Sequence, residues 1–455
     1  MKTLICIPCL LTGGTEIQTL NTVHALVQGG HEVTVACYFE HTPDMVARYR
    51  KAGAEVILFS PEGVRVGGYK SILFLYRHLR RAVKAVRPDV AHVQYMAPGA
   101  TVILLLWLMG VKNIIATAHT AADIYRDLRL IHFLQRHCLR AFTCITERAE
   151  NSFFGSSQLY TPDLVLGRRN HFTIYNALPA QMRCNDNVDD NENCLRNVAL
   201  NLTQISQNSQ NNISEQDNQR ELDTIAQNGK SLRPCCHPEG DDAAEQQVNC
   251  DDSQVKSCVA AVKGQELTAK SQEPNTKLTL GVVSRLERIK GMDLVVPAFA
   301  EVLKMYPATQ LLVVGDGSLR ASMEEQAAQL GCASHIRFVG RQPQEELSQW
   351  YSQMDIVLMP SRSEGFGLTA IEAMAHGCVM VASDVGGLPE VVRDGICGLL
   401  HRTEDVADMA AKIVSLIGDP ALYTQLRAQS LVEVEKYSFE RYSALMNDLY
   451  NKLGR

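Results

Sequence analysis

The sequence predicts an α/β protein made of two doubly wound domains. Three observations support this prediction: β-rich runs alternate with helical patterns from Lys2 to Tyr175, the same rhythm restarts at Lys277, and a polar stretch separates the two parts. Alternation of this kind indicates parallel strands joined by crossover helices. With 455 residues, the chain is long enough for each domain to bury its own core.

The first predicted domain covers residues 1–180. Its segments are, in order, the strand LICI, the helix TEIQTLNTVHALVQ, the strands HEVTVACY and AEVILFS, a long helix near Ser71 to Val86, and the strands DVAHVQY and NIIATA. The opening residues MKTLICIPCLLTGG have the lysine and apolar run of a signal peptide, but no small-residue cleavage site follows. We therefore interpret them as a buried first strand.

The second predicted domain covers residues 277–435. It contains LTLGVVS, a helix near Met292 to Met305, QLLVVG, a further helix, HIRFVG, DIVLMP, the helix within SRSEGFGLTAIEAMAHG, and VMVAS. Residues 436–455 are expected to form a C-terminal helix that packs back toward the first domain.

The segment between the domains, residues 181–276, is rich in Asn, Gln, Asp and Ser, as in NDNVDDNEN and SQNSQNN. No Phe, Trp or Tyr occurs between Tyr175 and Phe299. Without aromatic residues and with few apolar clusters, such a segment cannot offset the entropy of ordering itself. The sequence therefore predicts a disordered low-complexity insert in the interdomain linker.

The composition excludes several classes of protein. With 46% hydrophobic residues, 21% charged residues and a net charge of −6, the chain gives no electrostatic reason to expect nucleic acid as a partner. Its longest apolar run, Ala100 to Val111, is shorter than the roughly 20 residues that span a bilayer. Fourteen cysteines without a repeated spacing favour reduced thiols and a cytoplasmic location.

Two groups of cysteines have alternative interpretations. Cys6 and Cys9 form a CxxC, but they follow a predicted strand rather than begin a helix, so buried structural thiols are favoured over a redox pair. A second group lacks the two-residue gap that lets one turn supply two zinc ligands, so we expect no metal site there. This group comprises Cys235, Cys236, His237, Cys250 and Cys258.

A glycine turn follows the first predicted strand. In LLTGGTEIQTL, Gly13 and Gly14 precede a helix that Thr15 is in position to cap. Backbone N–H groups and the positive end of a helix dipole at such a turn favour an anion. The turn lacks the GxGxxG motif and the P-loop lysine, so a plain strand-to-helix turn is the alternative.

Two cations follow the first strand of the second domain. Arg285 and Lys290 in SRLERIKG emerge at the carboxyl end of that strand, where open α/β sheets bind ligands. Gly365 and Gly367 allow close backbone approach, and the next helix begins there with unpaired N–H donors. Cations and a helix N-terminus in one crevice suit a diphosphate, although a solvated basic loop is the alternative.

Two glutamates flank the same helix start. Glu364 and Glu372 cannot bind phosphate, but carboxylates accept hydrogen bonds from vicinal hydroxyls. A molecule that combines a diphosphate with diols at both ends is a nucleotide sugar. The residues therefore predict a site for a nucleoside diphosphate sugar.

At this point the sequence resembles the retaining glycosyltransferases of family 4 (glycosyl transferases group 1). In the second domain SRLERIKG, VVGDGS, FVGR, MPSRSEGFGLTAIEAMAHG and SDVGGLPEVV follow the order and spacing of the family. The first domain resembles it more loosely, through GGTE, TAHT and IYNA. The resemblance implies the GT-B fold, in which two Rossmann-like domains face a central cleft.

The resemblance also implies roles for individual residues. Glu372 would hold the nucleotide ribose, Glu364 a hydroxyl of the transferred sugar, and Arg285 and Lys290 the diphosphate. His119 would line the sugar pocket, whereas the residue type alone more often indicates a buried core histidine. Further donor-binding positions would be Gly13, Gly14, Gly315, Arg341, Gly365, Phe366, Gly367, Leu368 and Thr369.

The implied reaction moves a sugar from a UDP- or GDP-sugar to a hydroxyl of a glycan or lipid-linked acceptor, with retention of configuration, in polysaccharide or glycoconjugate synthesis. No Asp-x-Asp pair occurs in the chain, so we expect protein cations to replace a divalent metal, and no cofactor is expected. Two alternatives remain open: a GT-B nucleotide-sugar epimerase and a non-catalytic sugar-binding or scaffold protein.

The helical stretch Ser71 to Arg87 combines apolar residues with Arg and Lys. Its apolar face suits an anionic membrane surface, which would make the enzyme peripheral on the cytoplasmic face. A core helix with a solvated basic face is the alternative. The predicted apolar positions are Ile72, Leu73, Leu75, Tyr76, Leu79, Val83 and Val86.

Overall fold

The computed structural model describes residues 1–125, 127–167, 169–180, 182 and 278–454. The predicted insert 181–276 lies outside the described residues apart from Met182, and so does the group of potential zinc ligands that begins at Cys235.

The first domain is a parallel sheet covered by helices. Its strands are β1 (Lys2–Ile7), β2 (Glu32–Cys37), β3 (Glu55–Leu58), β4 (Val90–Gln94), β5 (Ile114–Ala118), β6 (Ala141–Cys144) and β7 (His171–Thr173). Its helices are α1 (Gly14–Gln28), α2 (Pro43–Lys51), α3 (Tyr69–Val86), α4 (Met96–Leu108), α5 (Arg129–His137) and α6 (Glu147–Phe154). The strand order is β3-β2-β1-β4-β5-β6-β7, and all pairs are parallel.

The second domain repeats this plan. Its strands are β8 (Thr279–Val283), β9 (Gln310–Val314), β10 (Ile336–Gly340), β11 (Ile356–Met359), β12 (Val379–Ser383) and β13 (Gly398–His401). Its helices are α7 (Met292–Met305), α8 (Arg320–Gln329), α9 (Leu347–Tyr351), α10 (Leu368–Ala375), α11 (Leu388–Val391), α12 (Val406–Gly418) and α13 (Pro420–Glu433). The parallel order is β10-β9-β8-β11-β12-β13.

These two sheets confirm the predicted fold class. In each sheet the strand order reverses beside the first strand, between β1 and β4 and between β8 and β11. Ligands of open α/β sheets bind at such reversal points, beyond the carboxyl ends of the strands. In both domains, the loops at the carboxyl ends of the strands are therefore the expected place for a ligand site.

Three strands were missed by the sequence analysis. They are β6, β7 and β13, with four, three and four residues. Segments as short as AFTC, HFT and GLLH are too brief to show a strand pattern, and they become strands because a neighbouring strand supplies hydrogen bonds.

The CxxC cysteines are inert thiols in this fold. Cys6 is fully buried in β1, and burial raises its pKa to about 12. Burial likewise raises the pKa of Cys9 to about 12. Both thiols are therefore protonated at neutral pH, which supports the structural interpretation over a redox pair.

The C-terminal helix α14 (Phe439–Leu453) packs against α1 of the first domain. The hydroxyls of Tyr442 and Thr22 lie 2.7 Å apart, and Asn447 Nδ2 donates to the carbonyl of Ala25 at 2.9 Å. The chain thus returns from the second domain to the first.

Among the helices of the described ranges, none is both long enough and apolar enough to cross a membrane.

Candidate active site

A cavity of about 780 Å³ lies where loops from the carboxyl edges of both sheets meet. Its volume is in the range of small-molecule sites, about 300–1,000 Å³. Every predicted site position lines it: Gly13, Gly14, His119, Arg285, Lys290, Gly315, Arg341, Glu364, Gly365, Phe366, Gly367, Leu368, Thr369 and Glu372. The structure therefore brings together residues that lie up to 359 positions apart in the chain (372 − 13).

The glycine turn begins α1 differently from the prediction. Gly13, not Thr15, is the N-cap, and Thr15 lies in the first helical turn. The carboxylate of Glu16 packs directly against Gly13. A Cβ built on Gly13 would lie 2.4 Å from Glu16 Oε2, so only glycine fits there without a shift of Glu16. The Cys9 thiol donates to Glu16 Oε1 at 3.2 Å. Glu16 is therefore buried against the turn, while Gly13 and Gly14 line the cavity.

His119 follows β5 and is held in one tautomer. Its Nε2 lies 2.7 Å from Oε1 of Gln94, which accepts the hydrogen bond, so Nδ1 carries a free lone pair. Burial lowers the pKa of His119 to about 3. The ring is therefore neutral at physiological pH and is suited to accept a hydrogen bond from a hydroxyl.

Lys290 and Glu364 form an ion pair inside the cavity. Lys290 Nζ donates to Glu364 Oε2 at 2.6 Å, and both side chains are mostly buried. Arg285, on the same loop as Lys290, is exposed and lines the cavity. The pair neutralises the charge of Lys290, and an incoming diphosphate would therefore compete with Glu364 for Lys290.

Glu372 is buried and already hydrogen-bonded. Tyr351 donates its hydroxyl to Oε2 at 2.8 Å, and Gln344 Nε2 donates to Oε1 at 3.0 Å. Burial raises the pKa of Glu372 to about 7, against the lowering effect of these two bonds. Each carboxylate oxygen keeps a second lone pair, so Glu372 can still accept bonds from a diol.

The start of α10 provides backbone donors. Gly367 is its N-cap with φ of 98°, a conformation that favours glycine, and the first-turn N–H groups of Leu368 and Thr369 have no intrahelical acceptor. Gly365 contacts the first domain. A Cβ at this position would lie 2.4 Å from the carbonyl oxygen of His119. A larger residue at position 365 would push the two domains apart.

A hydrogen bond between the two domains also lies in the cavity lining. Arg341 Nη2 donates to Thr12 Oγ1 at 2.9 Å. In the described part of the chain, no group of three or more His, Cys, Asp and Glu side chains is arranged to hold a metal ion. The positive charges of the cavity are those of Arg285, Lys290 and Arg341.

Sequence reasoning missed four residues that act on this site. Gln94 ends a buried strand, and a polar residue at that point is a signal that could have indicated a role at the site. Gln344 and Tyr351 reach Glu372 only through tertiary packing, and no local pattern indicates this. Thr12 precedes the glycine turn and contacts the second domain.

Family models match both halves of the chain. Residues 12–152 match the model described as Glycosyltransferase Family 4, and residues 264–431 match the model described as Glycosyl transferases group 1. These matches include the glycine turn, His119 and the loops that line the cavity from the second domain.

The curated relatives include several proteins named D-inositol 3-phosphate glycosyltransferase. The one from Nocardia farcinica is 37% identical over 179 residues, which are 36% of this chain and 40% of the relative. The one from Rhodococcus opacus is 38% identical over 168 residues, 35% of this chain and 37% of the relative. The match thus spans less than half the length of these relatives.

Several solved structures share the fold. Anabaena HepE in complex with UDP superposes with a TM-score of 0.65 at 14% identity, covering 99% of this chain and 100% of that one. A glycosyltransferase from Rickettsia africae superposes with a TM-score of 0.64 at 14% identity, covering 99% and 98%. At this identity the likeness shows the fold.

Proposed function

Because this chain belongs to the GT-B glycosyltransferases of group 1 and family 4, we propose that it transfers a sugar from a nucleoside diphosphate sugar to an acceptor hydroxyl with retention of configuration. One observation carries the proposal: Arg285, Lys290, two glutamates and the N-terminus of α10 line one cavity at the edges of both sheets. This set matches a diphosphate flanked by two diols.

Each domain binds one of the two substrates, the sugar donor or the acceptor. The second domain, residues 277–435, holds the donor, because Arg285, Lys290, Glu364 and Glu372 all belong to it. The first domain, residues 1–180, holds the acceptor and presents the neutral imidazole of His119 to the sugar.

In the reaction, the bond between the sugar and the diphosphate breaks while the acceptor oxygen bonds to the anomeric carbon on the same face. The departing phosphate oxygen takes the proton of the acceptor hydroxyl, so no separate protein base is needed. Negative charge develops on the bridging oxygen, and Arg285 and Lys290 stabilise it. Lys290 exchanges Glu364 for the phosphate, which frees Glu364 for a sugar hydroxyl.

The acceptor is a hydroxyl of a glycan or a lipid-linked molecule, and the reaction serves polysaccharide or glycoconjugate synthesis in the cytoplasm. The names of the curated relatives support transfer to a hydroxyl-rich acceptor.

A donor screen tests the proposal. UDP is the ligand named for the Anabaena relative, so UDP-sugars head the panel and GDP-sugars complete it. A donor at a hundred times its Kd should stabilise the protein by about 2.7 kcal/mol and raise the melting temperature. Absence of stabilisation by every UDP- and GDP-sugar would overturn the proposal. Conversion of the donor into an epimer that is still attached to the nucleotide would support the epimerase instead.

We expect turnover without a divalent metal. The charges that a metal would supply come from Arg285 and Lys290, so activity should survive exhaustive treatment with EDTA. The measurement is the initial rate of nucleoside diphosphate release before and after chelation. Complete loss of activity, restored by Mn²⁺ or Mg²⁺, would contradict metal-independent transfer.

A membrane surface is the second partner that we propose. On α3, Tyr69, Ile72, Leu73 and Tyr76 are exposed by 80%, 51%, 51% and 39%, whereas Leu75 and Leu79 are buried in the core. The exposed four follow i, i+3, i+4, i+7 spacing and so share one helix face. Arg77, Arg80, Arg81 and Lys84 are exposed next to it. This pairing of an apolar face with basic residues fits an anionic lipid surface.

Binding to vesicles tests this surface. The triple variant Ile72→Ser, Leu73→Ser, Tyr76→Ser removes exposed apolar side chains and should weaken cosedimentation with anionic vesicles at least about tenfold, given the free energy of burying such side chains. The matched control is Leu330→Ser, Val432→Ser, two exposed apolar residues of the second domain. Donor hydrolysis in solution should be unchanged in both. Equal vesicle binding by wild type and triple variant would contradict the proposed surface.

A further inference from the structure

The N-terminus of α6 in the first domain is completed by a residue of the second domain. Within its own domain, Thr146 Oγ1 accepts the N–H of Ala149 at 3.1 Å. The N–H groups of Glu147 and Arg148 instead donate to Glu390, to Oε2 at 2.9 Å and to Oε1 at 2.6 Å. The two partners of each bond lie 243 and 242 residues apart.

This contact has favourable chemistry. First-turn N–H groups have no intrahelical acceptor, and a carboxylate at a helix N-terminus also interacts favourably with the helix dipole. Both oxygens of Glu390 are used, one for each N–H. The backbone of Glu390 is held in place, because Tyr437 donates its hydroxyl to the Glu390 carbonyl at 3.3 Å.

A chain of short contacts links Glu390 to the cavity. Gly387 N–H donates to the carbonyl of Glu364 at 3.1 Å. A Cβ on Gly387 would lie 2.3 Å from the Gly365 carbonyl oxygen and 2.7 Å from Thr146 Cγ2. Gly365 in turn abuts the carbonyl of His119. The cap on α6 and the contact between the Glu364 loop and His119 therefore both require the same relative placement of the two domains.

We propose that Glu390 is a positioning residue that fixes the two domains in the arrangement needed for transfer, by capping α6 across the domain boundary. This inference rests on the proposed function. Glu390 does not line the cavity and acts through the Glu364 loop and His119. Because the proposed donor-binding side chains Arg285, Lys290, Glu364 and Glu372 all belong to the second domain, loss of the cap should lower kcat and leave donor affinity nearly unchanged.

Amide hydrogen exchange tests the cap independently of activity. Since the amides of Glu147 and Arg148 have no intrahelical acceptor, their protection reports on Glu390 directly. In Glu390→Ala both amides should exchange at least about tenfold faster, the factor expected for loss of a hydrogen bond to a charged group. In the isosteric Glu390→Gln, which keeps one acceptor oxygen, one of the two amides should stay protected.

The matched control is Glu345→Ala. Glu345 also reaches across the domain boundary, to Arg48 at 3.5 Å, but its side chain is 57% exposed. Exposed pairs of this kind contribute little. Glu345→Ala should therefore match the wild type in amide exchange at Glu147 and Arg148, in kcat and in donor Kd. In Glu390→Ala, kcat should fall about tenfold, in line with the loss of a charge-assisted bond, while donor Kd stays within about twofold.

Two results would overturn the inference. Unprotected amides at Glu147 and Arg148 in the wild type would show that the cap is not formed. Faster exchange in Glu390→Ala with unchanged kcat would show that the cap does not position the reacting groups. A wild type that consumes no donor would count against the proposed function, and the exchange data would then still decide whether the cap exists.

Discussion

Replacing Arg285 or Lys290 by alanine is expected to lower kcat about a hundredfold, the usual effect of removing one preorganised donor from a site of developing charge. Both cations line the cavity in which the diphosphate would leave in the proposed reaction, and charge on the bridging oxygen would grow as the glycosidic bond breaks. Only interactions that strengthen in the transition state accelerate this step. Donor affinity should therefore fall less than kcat in Arg285→Ala.

Because Lys290 pairs with Glu364, the two alanine variants should differ in donor affinity. Removing Lys290 leaves the Glu364 carboxylate without its partner at 2.6 Å and close to the proposed diphosphate. Lys290→Ala should therefore weaken donor binding more than Arg285→Ala does. The double variant should be less damaging than the product of the single effects, because both cations act on one charge.

Single-turnover rates and donor Kd are the measurements. Arg285→Lys should restore little, because an ammonium lacks the planar fork that spans two phosphate oxygens. Lys304→Ala is the control, since within the described ranges the ion pair of Lys304 is with exposed Glu301 on the same helix, α7. If both alanine variants keep a normal kcat and only need more donor, the cations are binding groups and do not stabilise the leaving group.

Glu372→Gln is expected to weaken donor binding about tenfold, since a neutral amide accepts hydrogen bonds less strongly than a carboxylate. The pKa of about 7 adds a pH dependence. The ionised carboxylate, which would accept most strongly from the diol of the proposed ribose, is present mainly above pH 7. Diol binding favours this form, so donor affinity should rise as the pH increases from 6 to 8.

The pH dependence separates Glu372 from other causes. The phosphates of an intact nucleotide sugar do not titrate in this range, so the rise should disappear in Glu372→Gln. Glu301→Gln, which changes an exposed carboxylate that does not line the cavity, should keep the rise. Donor affinity that is the same in wild type and Glu372→Gln at every pH would move the ribose site elsewhere.

The sequence predicted those features that depend on local pattern. The alternation of β-rich and helical runs predicted both sheets. Residues that follow strands, such as His119 and Arg285, line the cavity because the carboxyl ends of parallel strands lie at one edge of a sheet. The short strands β6, β7 and β13 required a neighbouring strand, and the sequence alone did not reveal them.

Pairings between distant segments were also missed. The bond from Lys290 to Glu364 spans 74 residues and that from Gln344 to Glu372 spans 28. Such partners are determined by packing between elements and leave no local signal. The same holds for α3, where hydrophobicity predicted one apolar face but packing buries Leu75 and exposes Ile72 and Leu73.

Proton NMR during donor consumption by the EDTA-treated protein tests the central claim most directly. With the best donor from the panel, we predict release of the nucleoside diphosphate and, as the first sugar product, the anomer with the configuration of the donor. Appearance of the inverted anomer first would contradict retention. Consumption of no nucleotide sugar at all would contradict the proposed transferase activity.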